Sequence, residues 1–369
     1  MKCTQNDWKN QEKTFSISST ISDFFQEFHL GTLLNRSGIT KVRGINPTKI
    51  FHDIFCLSFI RKNLYQGIVQ NTALEYRKDA AYDFLKNPRY NWRTLLLFFA
   101  TKVSVYFSGL TDDSREKVLI LDDSIWDRSR SKTVELLARV FDHCTHTYLK
   151  GFRILSIGWS DGGSFVPLDF ALLSSAKEQN RLQGMTKTLD KRTCGYQRRK
   201  EAIQPSTGLL ESLVKRVLAG IKAQYILMDS WFAFPKTIQT LHTYLPVICM
   251  LKRMPKVFYW HRGHKLNLSH LYQHIKKRRG KARILASVVV AMTNGQRAKI
   301  VFVRDKRKTD WLAILSTDCD LSEEEIVRIY GKRWDIEVFF KMAKNHVGMA
   351  NGVLVRDFDG LIAHTTIAM

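Results

Sequence analysis

The sequence lacks paired cysteines, a long uninterrupted apolar run and enough acids to balance its bases, and each shortage excludes a class of protein. The six cysteines (Cys3, Cys56, Cys144, Cys194, Cys249, Cys319) stand apart, with no CxxC spacing. That scatter argues against a disulfide framework or a zinc ribbon and for a reducing compartment. His143, Cys144 and His146 fall close together, but no second ligand pair stands near them in the chain, so they are read as structural rather than as a metal knuckle. The amino terminus shows no basic start followed by an apolar stretch of signal-peptide type. The most apolar segment, Thr94–Gly109, is interrupted by Lys102 and is too short to span a bilayer. A cytoplasmic protein that does not enter the membrane is the expectation.

Acids are scarce: 34 Asp and Glu stand against 58 Lys and Arg, a net charge of +24. The diffuse field of such a chain attracts polyanions, nucleic acid first, although a ribosome- or membrane-associated protein could carry the same charge. A hydrophobic content of 44% over 369 residues allows two or three domains, each with a real core.

Before residue 112 the pattern is helical. Ile17–Phe28, Pro47–Phe59, Thr72–Leu85 and Asn91–Ser108 carry apolar residues at helical spacing, with breaks at Gly31–Gly44 and Asn87–Pro88. Basic and aromatic residues interleave there (Arg61, Lys62, Tyr65, Tyr76, Arg77, Lys78, Arg89, Tyr90, Trp92, Arg93), a mixture that suits a duplex backbone and equally suits the solvated face of a bundle.

At Lys117 the pattern changes. Val118–Ser124, VLILDDS, is an apolar run ending in acids, as expected of a buried strand that delivers carboxylates at its tip. A helical segment, TVELLARVFDHC, is expected next, then a hairpin of Arg153–Gly162 and Ser164–Leu173 turning at Gly162–Gly163. Ser174–Pro205 is polar and strongly basic, the composition of a surface loop that orders against something anionic and equally of a flexible solvated linker. Helix returns over Thr207–Ala223, and Tyr225–Ser230, YILMDS, is a second apolar strand with one acid at its end. A helix over Phe232–Tyr244 and a strand over Leu245–Leu251 follow. The basic stretch Lys252–Thr309 is mostly β by propensity, with strands at Ala282–Met292 and Ala298–Arg304, and Trp311–Thr317 is a last strand.

Leu321–Lys344, LSEEEIVRIYGKRWDIEVFFKMAK, reads as one helix. Ser322 with Glu325 forms a capping box, Leu321 with Ile326 a hydrophobic staple, and three acids occupy the first turn, where the helix dipole favours them. Tyr330, Arg333, Glu337 and Lys344 recur on one face of it. A solvated surface carrying an Arg–Glu pair is one reading of that face. A carboxylate held between two cations and a phenol is also what metal-dependent phosphoryl transfer uses. With Asp122 (or its neighbour Asp123) and Asp229 on strands and Glu337 on the helix, a fold could gather three carboxylates without His or Cys. Such a set takes hard cations, Mg²⁺ or Mn²⁺.

Tyr330-x2-Arg333-x3-Glu337-x6-Lys344 resembles the YREK signature of the insertion-sequence four (IS-four) family of DDE transposases. DDS at Asp122–Ser124 and MDSWF at Met228–Phe232 are similar to that family's first and second aspartate motifs. The resemblance implies an α/β fold: an RNase H-like core in two parts (113–251 and 310–369), a β-rich insertion (252–309) and an all-α DNA-binding domain ahead of them (1–112). It implies cut-and-paste DNA transposition by a homodimer on double-stranded DNA, at terminal inverted repeats and target DNA, in a bacterial, nucleoid-associated protein. Asp122, Asp229 and Glu337 then carry the catalytic metal-ligand roles, and Tyr330, Arg333 and Lys344 contact phosphates. The family's DxS register favours Asp122 over Asp123. Phe258, Tyr259 and Trp260 are candidates for an aromatic that holds a flipped base. The chain ends at Met369 inside an apolar segment, LIAHTTIAM, where family members continue into a further helical region. A truncated, catalytically inactive DNA-binding regulator is therefore the alternative, and an RNase H-like nuclease or resolvase is a third reading.

Overall fold

Strand β1 (Val118–Asp127) is the line along which a mixed sheet and two helical layers meet. The computed structural model describes residues 17–60, 62–71, 74–112, 114–143, 145–280, 282–305, 310–349 and 355–369. Ahead of β1 every described element is helical: residues 17–27 (α1), Leu30–Arg36 (α2), Pro47–Phe59 (α3), a π-helical turn at Tyr65–Val69, Lys78–Lys86 (α4) and Trp92–Leu110 (α5). Helix α2 occupies the break expected at Gly31–Gly44, because Leu30, Leu33 and Leu34 have a core to enter. The helix expected from Thr72 begins only at Lys78, and Thr72 itself lies outside the described residues.

The sheet carries β2 (Ala138–Asp142), β3 (Thr147–Ser160), β4 (Phe165–Leu173), β5 (Tyr225–Met228), β6 (Val247–Leu251), β7 (Phe258–His261), β8 (His264–Asn267), β9 (Ile284–Met292), β10 (Arg297–Arg304) and β11 (Trp311–Ser316). Its order is β2-β3-β1-β5-β6-β11-β10-β9-β7-β8, with β4 also on β3. β1 is antiparallel to β3 and parallel to β5, and β5 is parallel to β6. Strands β9 and β10, from the expected insertion, pair on through β11 to β6, so they prolong the same sheet.

Helices α6 (Cys194–Ala202), α7 (Ser206–Leu218), α8 (Pro235–His242), α9 (Leu268–His274), α10 (Glu323–Gly331), α11 (Trp334–Asn345) and α12 (Phe358–Ala368) complete the described elements. None of the described helices is long and apolar enough to cross a membrane.

Both faces of the central strands are covered, which is why they read as unbroken apolar runs. Along β1 the residues alternate between two cores: Val118 and Ile120 join one, Leu119 and Leu121 the other. The first core runs without interruption into the amino-terminal helices and into α10, α11 and α12. The second is closed by residues of α7 and α8, including Leu210, Val214 and Leu241. Arg93 of α5, wholly buried, donates two hydrogen bonds to Asp169 of β4 (2.6 and 2.9 Å) and pins the amino-terminal layer to the sheet.

Three expectations need correction. The described part of the segment TVELLARVFDHC, up to His143, is not helical: Leu136 takes a left-handed backbone (φ 59°), and Ala138–Asp142 pairs with β3. Its apolar residues enter the core through a turn and a strand, and pairing to β3 outweighs helical spacing. The basic stretch after Ser174 is not simply a surface loop, because it contains α6. Arg198 and Arg199 of that helix are buried on Asp359 and Glu135, so the anions they meet are the protein's own. Leu321–Lys344 is two helices. The capping box forms as expected (Ser322 Oγ accepts from Glu325 N at 3.2 Å, Glu325 Oε2 from Ser322 N at 2.8 Å). The helix then tightens after Gly331, where Lys332 N and Arg333 N bond three residues back, to Ile329 and Tyr330 carbonyls. Glycine is the weakest helix former in the segment, and the two cations after it reach away from the helix, Lys332 to the Glu116 carbonyl ahead of β1 and Arg333 to Asp122 of β1.

Gly151 of β3 lies opposite Asp127 on one side and Ala138 on the other, at the point where β1 and β2 both pair with β3. A Cβ there would lie 2.1 Å from the Trp126 carbonyl oxygen, an atom that cannot swing aside. Gly151→Ala is expected to cost about 3 kcal/mol, as overpacking against backbone does, read from the urea midpoint. A loss below about 0.5 kcal/mol would mean that the strands separate here more easily than the packing implies.

Candidate active site

Parallel pairing of β1 with β5 runs from Val118–Tyr225 to Leu121–Met228 and stops there. Asp122 is the next residue of β1 and Asp229 the residue just past β5, so two carboxylates arrive side by side where the pairing ends. Each keeps its local backbone bond: Asp122 Oδ1 accepts from Asp123 N (2.8 Å) and Asp229 Oδ1 from Ser230 N (2.6 Å). β1 itself runs on to Asp127, paired there with β3, so its acids lie within the strand and not at its tip. The expected strand ended at Ser124, but SIWD continues the ladder against β3.

Alternation settles which face each acid occupies. Asp122 shares the parity of Val118 and Ile120, facing the core that α11 joins through Ile336 and Phe340. Asp123 turns to the other side, where Arg153 of β3 donates to its Oδ1 at 2.8 Å. That arginine was not legible in the sequence, because the strand register brings it diagonally across from Asp123.

On the near side, α11 closes the site. Arg333 Nη1 donates to Asp122 Oδ2 at 3.0 Å, and Nη2 of the same side chain donates to Glu337 Oε1. Lys344 donates to Ser124 Oγ (2.6 Å) and to the Ile125 carbonyl (2.7 Å), tying the end of α11 to β1. The Arg333 guanidinium lies 5.9 Å from the centre of the Tyr330 ring. Lys332 reaches the Glu116 and Asp161 carbonyls (2.6 and 3.2 Å), fixing the joint between α10 and α11 against the end of the β1–β3 pair where β1 begins and β3 finishes. Tyr330, Arg333, Glu337 and Lys344 therefore remain on one side despite the break in the helix.

Burial pushes the Asp122 carboxyl up to about 7, opposed by Arg333 and reinforced by the charges of Asp123 and Asp229. Burial likewise raises Asp123, opposed by Arg153, and pushes the Tyr330 phenol up.

The donor chemistry of Asp122, Asp229 and Glu337 is all carboxylate oxygen, which suits a hard divalent cation. Their geometry differs from the sequence expectation in one respect. Among the described residues no three His, Cys, Asp or Glu side chains converge as a ready metal cage. Asp122 and Glu337 are joined instead by the guanidinium of Arg333, which neutralises them in the way a metal ion would.

Of the other candidates, Tyr259 is buried while Trp260 is 44% exposed on β7. The His143 ring packs at a tilt of 47° against Trp231, two residues beyond Asp229, with ring centres 4.1 Å apart. Cys144 lies outside the described residues.

A comparison with curated proteins returned no match. A protein-family profile described as DDE superfamily endonuclease matches residues 55–309, more than half of the chain, spanning Asp122, Asp229 and the β-rich stretch up to β11. Those residues carry both strand acids on the paired strands described above, and the chain belongs to the DDE superfamily endonucleases.

Proposed function

We propose that the protein is a DNA transposase of the insertion-sequence four type, cutting and rejoining DNA at transposon ends. The observation that carries the reading is the register of β1 with β5, which brings Asp122 and Asp229 together on the face closed by α11 and Glu337. The order β4-β3-β1-β5-β6, three antiparallel strands followed by two parallel to the first, is read as an RNase H-like core. The elements around it are read as an all-α DNA-binding region (1–112) and a β-rich insertion (252–309) that extends the core sheet.

In this reading Asp122, Asp229 and Glu337 hold Mg²⁺ or Mn²⁺. When bound, the metal activates a water or a 3′-hydroxyl and steadies the leaving oxygen of a phosphodiester. The protein's own residues supply the rest. Arg333 presents a planar fork matched to phosphate oxygens. Lys344, anchored on Ser124, places positive charge beside β1. The buried ring of Tyr330 backs the Arg333 guanidinium. The net charge of +24 holds terminal inverted repeats and target DNA against the surface, and a homodimer pairs two ends.

A catalytically inactive DNA-binding regulator is the second reading, favoured by the Arg333 bridge in place of an open three-carboxylate cage. The two separate in one assay: the full chain with a labelled duplex carrying the DNA that flanks its gene, in Mg²⁺, Mn²⁺ or EDTA. Nicks at the repeat boundary that need the divalent ion are expected. Binding without nicking in either metal would leave the regulator, and cleavage confined to branched or RNA–DNA hybrid substrates would leave a resolvase or hybrid nuclease.

A further inference from the structure

Arg333 spends both ends of its guanidinium on the two carboxylates that the proposed site needs free. Its Nη1 holds Asp122 at 3.0 Å and its Nη2 holds Glu337, one acid on the sheet and the other on α11. We propose that Arg333 is an exchangeable internal cation: it holds Asp122 and Glu337 together in the DNA-free protein and gives way to a divalent cation when a DNA phosphate draws the guanidinium off. The proposal rests on the reading of Asp122, Asp229 and Glu337 as a metal site.

Three features of the structure support the exchange. A guanidinium and a divalent cation cannot both occupy the space between these carboxylates, because like charges a few ångströms apart in a half-buried site repel strongly. The position also leaves hydrogen-bonding capacity unused. Arg333 Nε and the Tyr330 hydroxyl are buried, and neither makes a hydrogen bond of good geometry. A guanidinium in its final resting place would have its donors satisfied. Finally, Arg333 lies at the joint between α10 and α11, where the backbone bonds have already tightened to a three-residue spacing. The side chain can move there without unwinding either helix. The alternative partner for a planar fork of five donors is a phosphate, which it binds as it binds a carboxylate.

Metal and DNA should then assist each other, and by linkage the effect is equal in both directions. Each ligand alone would bind more weakly than in the presence of the other, so a divalent cation would load the protein best with DNA in place.

The test is Mn²⁺ binding to the full chain, followed by the electron-spin signal of the free ion, first without DNA. Arg333→Gln is expected to bind Mn²⁺ about tenfold more tightly than wild type, the fold-change that loss of a competing charge-assisted bond implies. Arg333→Lys, whose ammonium satisfies one carboxylate at a time, should fall between the two and also guards against misfolding of the glutamine variant. Lys341→Gln removes the same charge from the exposed side of α11 and should change affinity by less than about twofold, since an exposed charge is screened. Adding a random-sequence duplex should tighten Mn²⁺ binding in wild type by more than it does in Arg333→Gln.

Equal or weaker binding by Arg333→Gln overturns the proposal, as does an equal gain in Lys341→Gln or a duplex effect of the same size in wild type and Arg333→Gln. If Mn²⁺ binds wild type no better than Asp122→Asn, with or without the duplex, the metal-site reading itself fails, a result distinct from failure of the exchange.

Discussion

Asp229→Asn is expected to lower metal-dependent nicking by roughly a thousandfold or more, the several kcal/mol of transition-state stabilisation that a bound metal supplies. Duplex affinity should stay within a few-fold of wild type, because binding is carried by the dispersed positive charge. Glu337→Gln is expected to behave the same way. A variant of either acid that cleaves at more than about a tenth of the wild-type rate would remove that residue from the site. Asp122→Asn adds a control for folding. Its carboxyl sits at about 7 in the folded protein, against ~4 in an unfolded chain. Between those values the folded state retains a proton that the unfolded chain has lost. The contribution of Asp122 to stability therefore falls as pH rises through this window and is least favourable above pH 7. The asparagine variant should lose cleavage and yet melt no lower than wild type at pH 8. A lower melting temperature at that pH would show that Asp122 supports the fold through Arg333 rather than straining it.

The second large effect lies away from the site. Arg199 donates to both oxygens of Glu135 (2.7 Å each) and to Asp359 Oδ2 (2.7 Å), and Arg198 donates to Asp359 Oδ1 (2.5 Å) and to the Tyr90 carbonyl (2.8 Å). All four side chains are buried, and they join α6, α12, the turn before β2 and the amino-terminal helices. Asp359→Ala strands two buried guanidinium groups short of a partner and is expected to cost about 3–5 kcal/mol, a loss of the size seen when one member of a buried ion pair is removed. Replacing the cluster by apolar residues of similar volume should cost less than the single truncation. For Glu135, burial is outweighed by Arg199 and by the Thr186 and Phe358 N–H groups, which hold its carboxyl down at about 2. The stabilisation from Glu135 is therefore complete above about pH 4.5 and disappears as pH falls towards 2. Urea midpoints of wild type and Asp359→Ala at pH 7 and pH 3 test this. A difference under about 1 kcal/mol at pH 7 would mean that water already satisfies these groups.

Much of the site was legible because local chemistry dictates it. The capping box at Ser322 and Glu325 forms from residues three apart, and the apolar runs around Asp122 and Asp229 could only be strands covered on both faces. Tyr330, Arg333, Glu337 and Lys344 share a side because their spacing is helical, and the tightened turn after Gly331 does not undo that. The errors fall where a distant partner overrules a local pattern. Ala138–Asp142 has a helical neighbourhood in sequence, yet β3 offers an open edge. Arg198 and Arg199 look like surface charge, because nothing nearby in the chain announces Asp359, more than a hundred residues away.

The sequence by itself determined the positive charge and the apolar runs and helical spacing that carry the candidate acids, since these depend on residue type and spacing, and it left Asp123 beside Asp122 as an alternative. Only the tertiary structure decided that Asp122 rather than Asp123 faces Glu337, because the choice depends on which face of β1 receives α11. It also placed Arg333 between the two acids. Which neighbour a guanidinium takes is set by the distance between elements that the chain brings together only when folded.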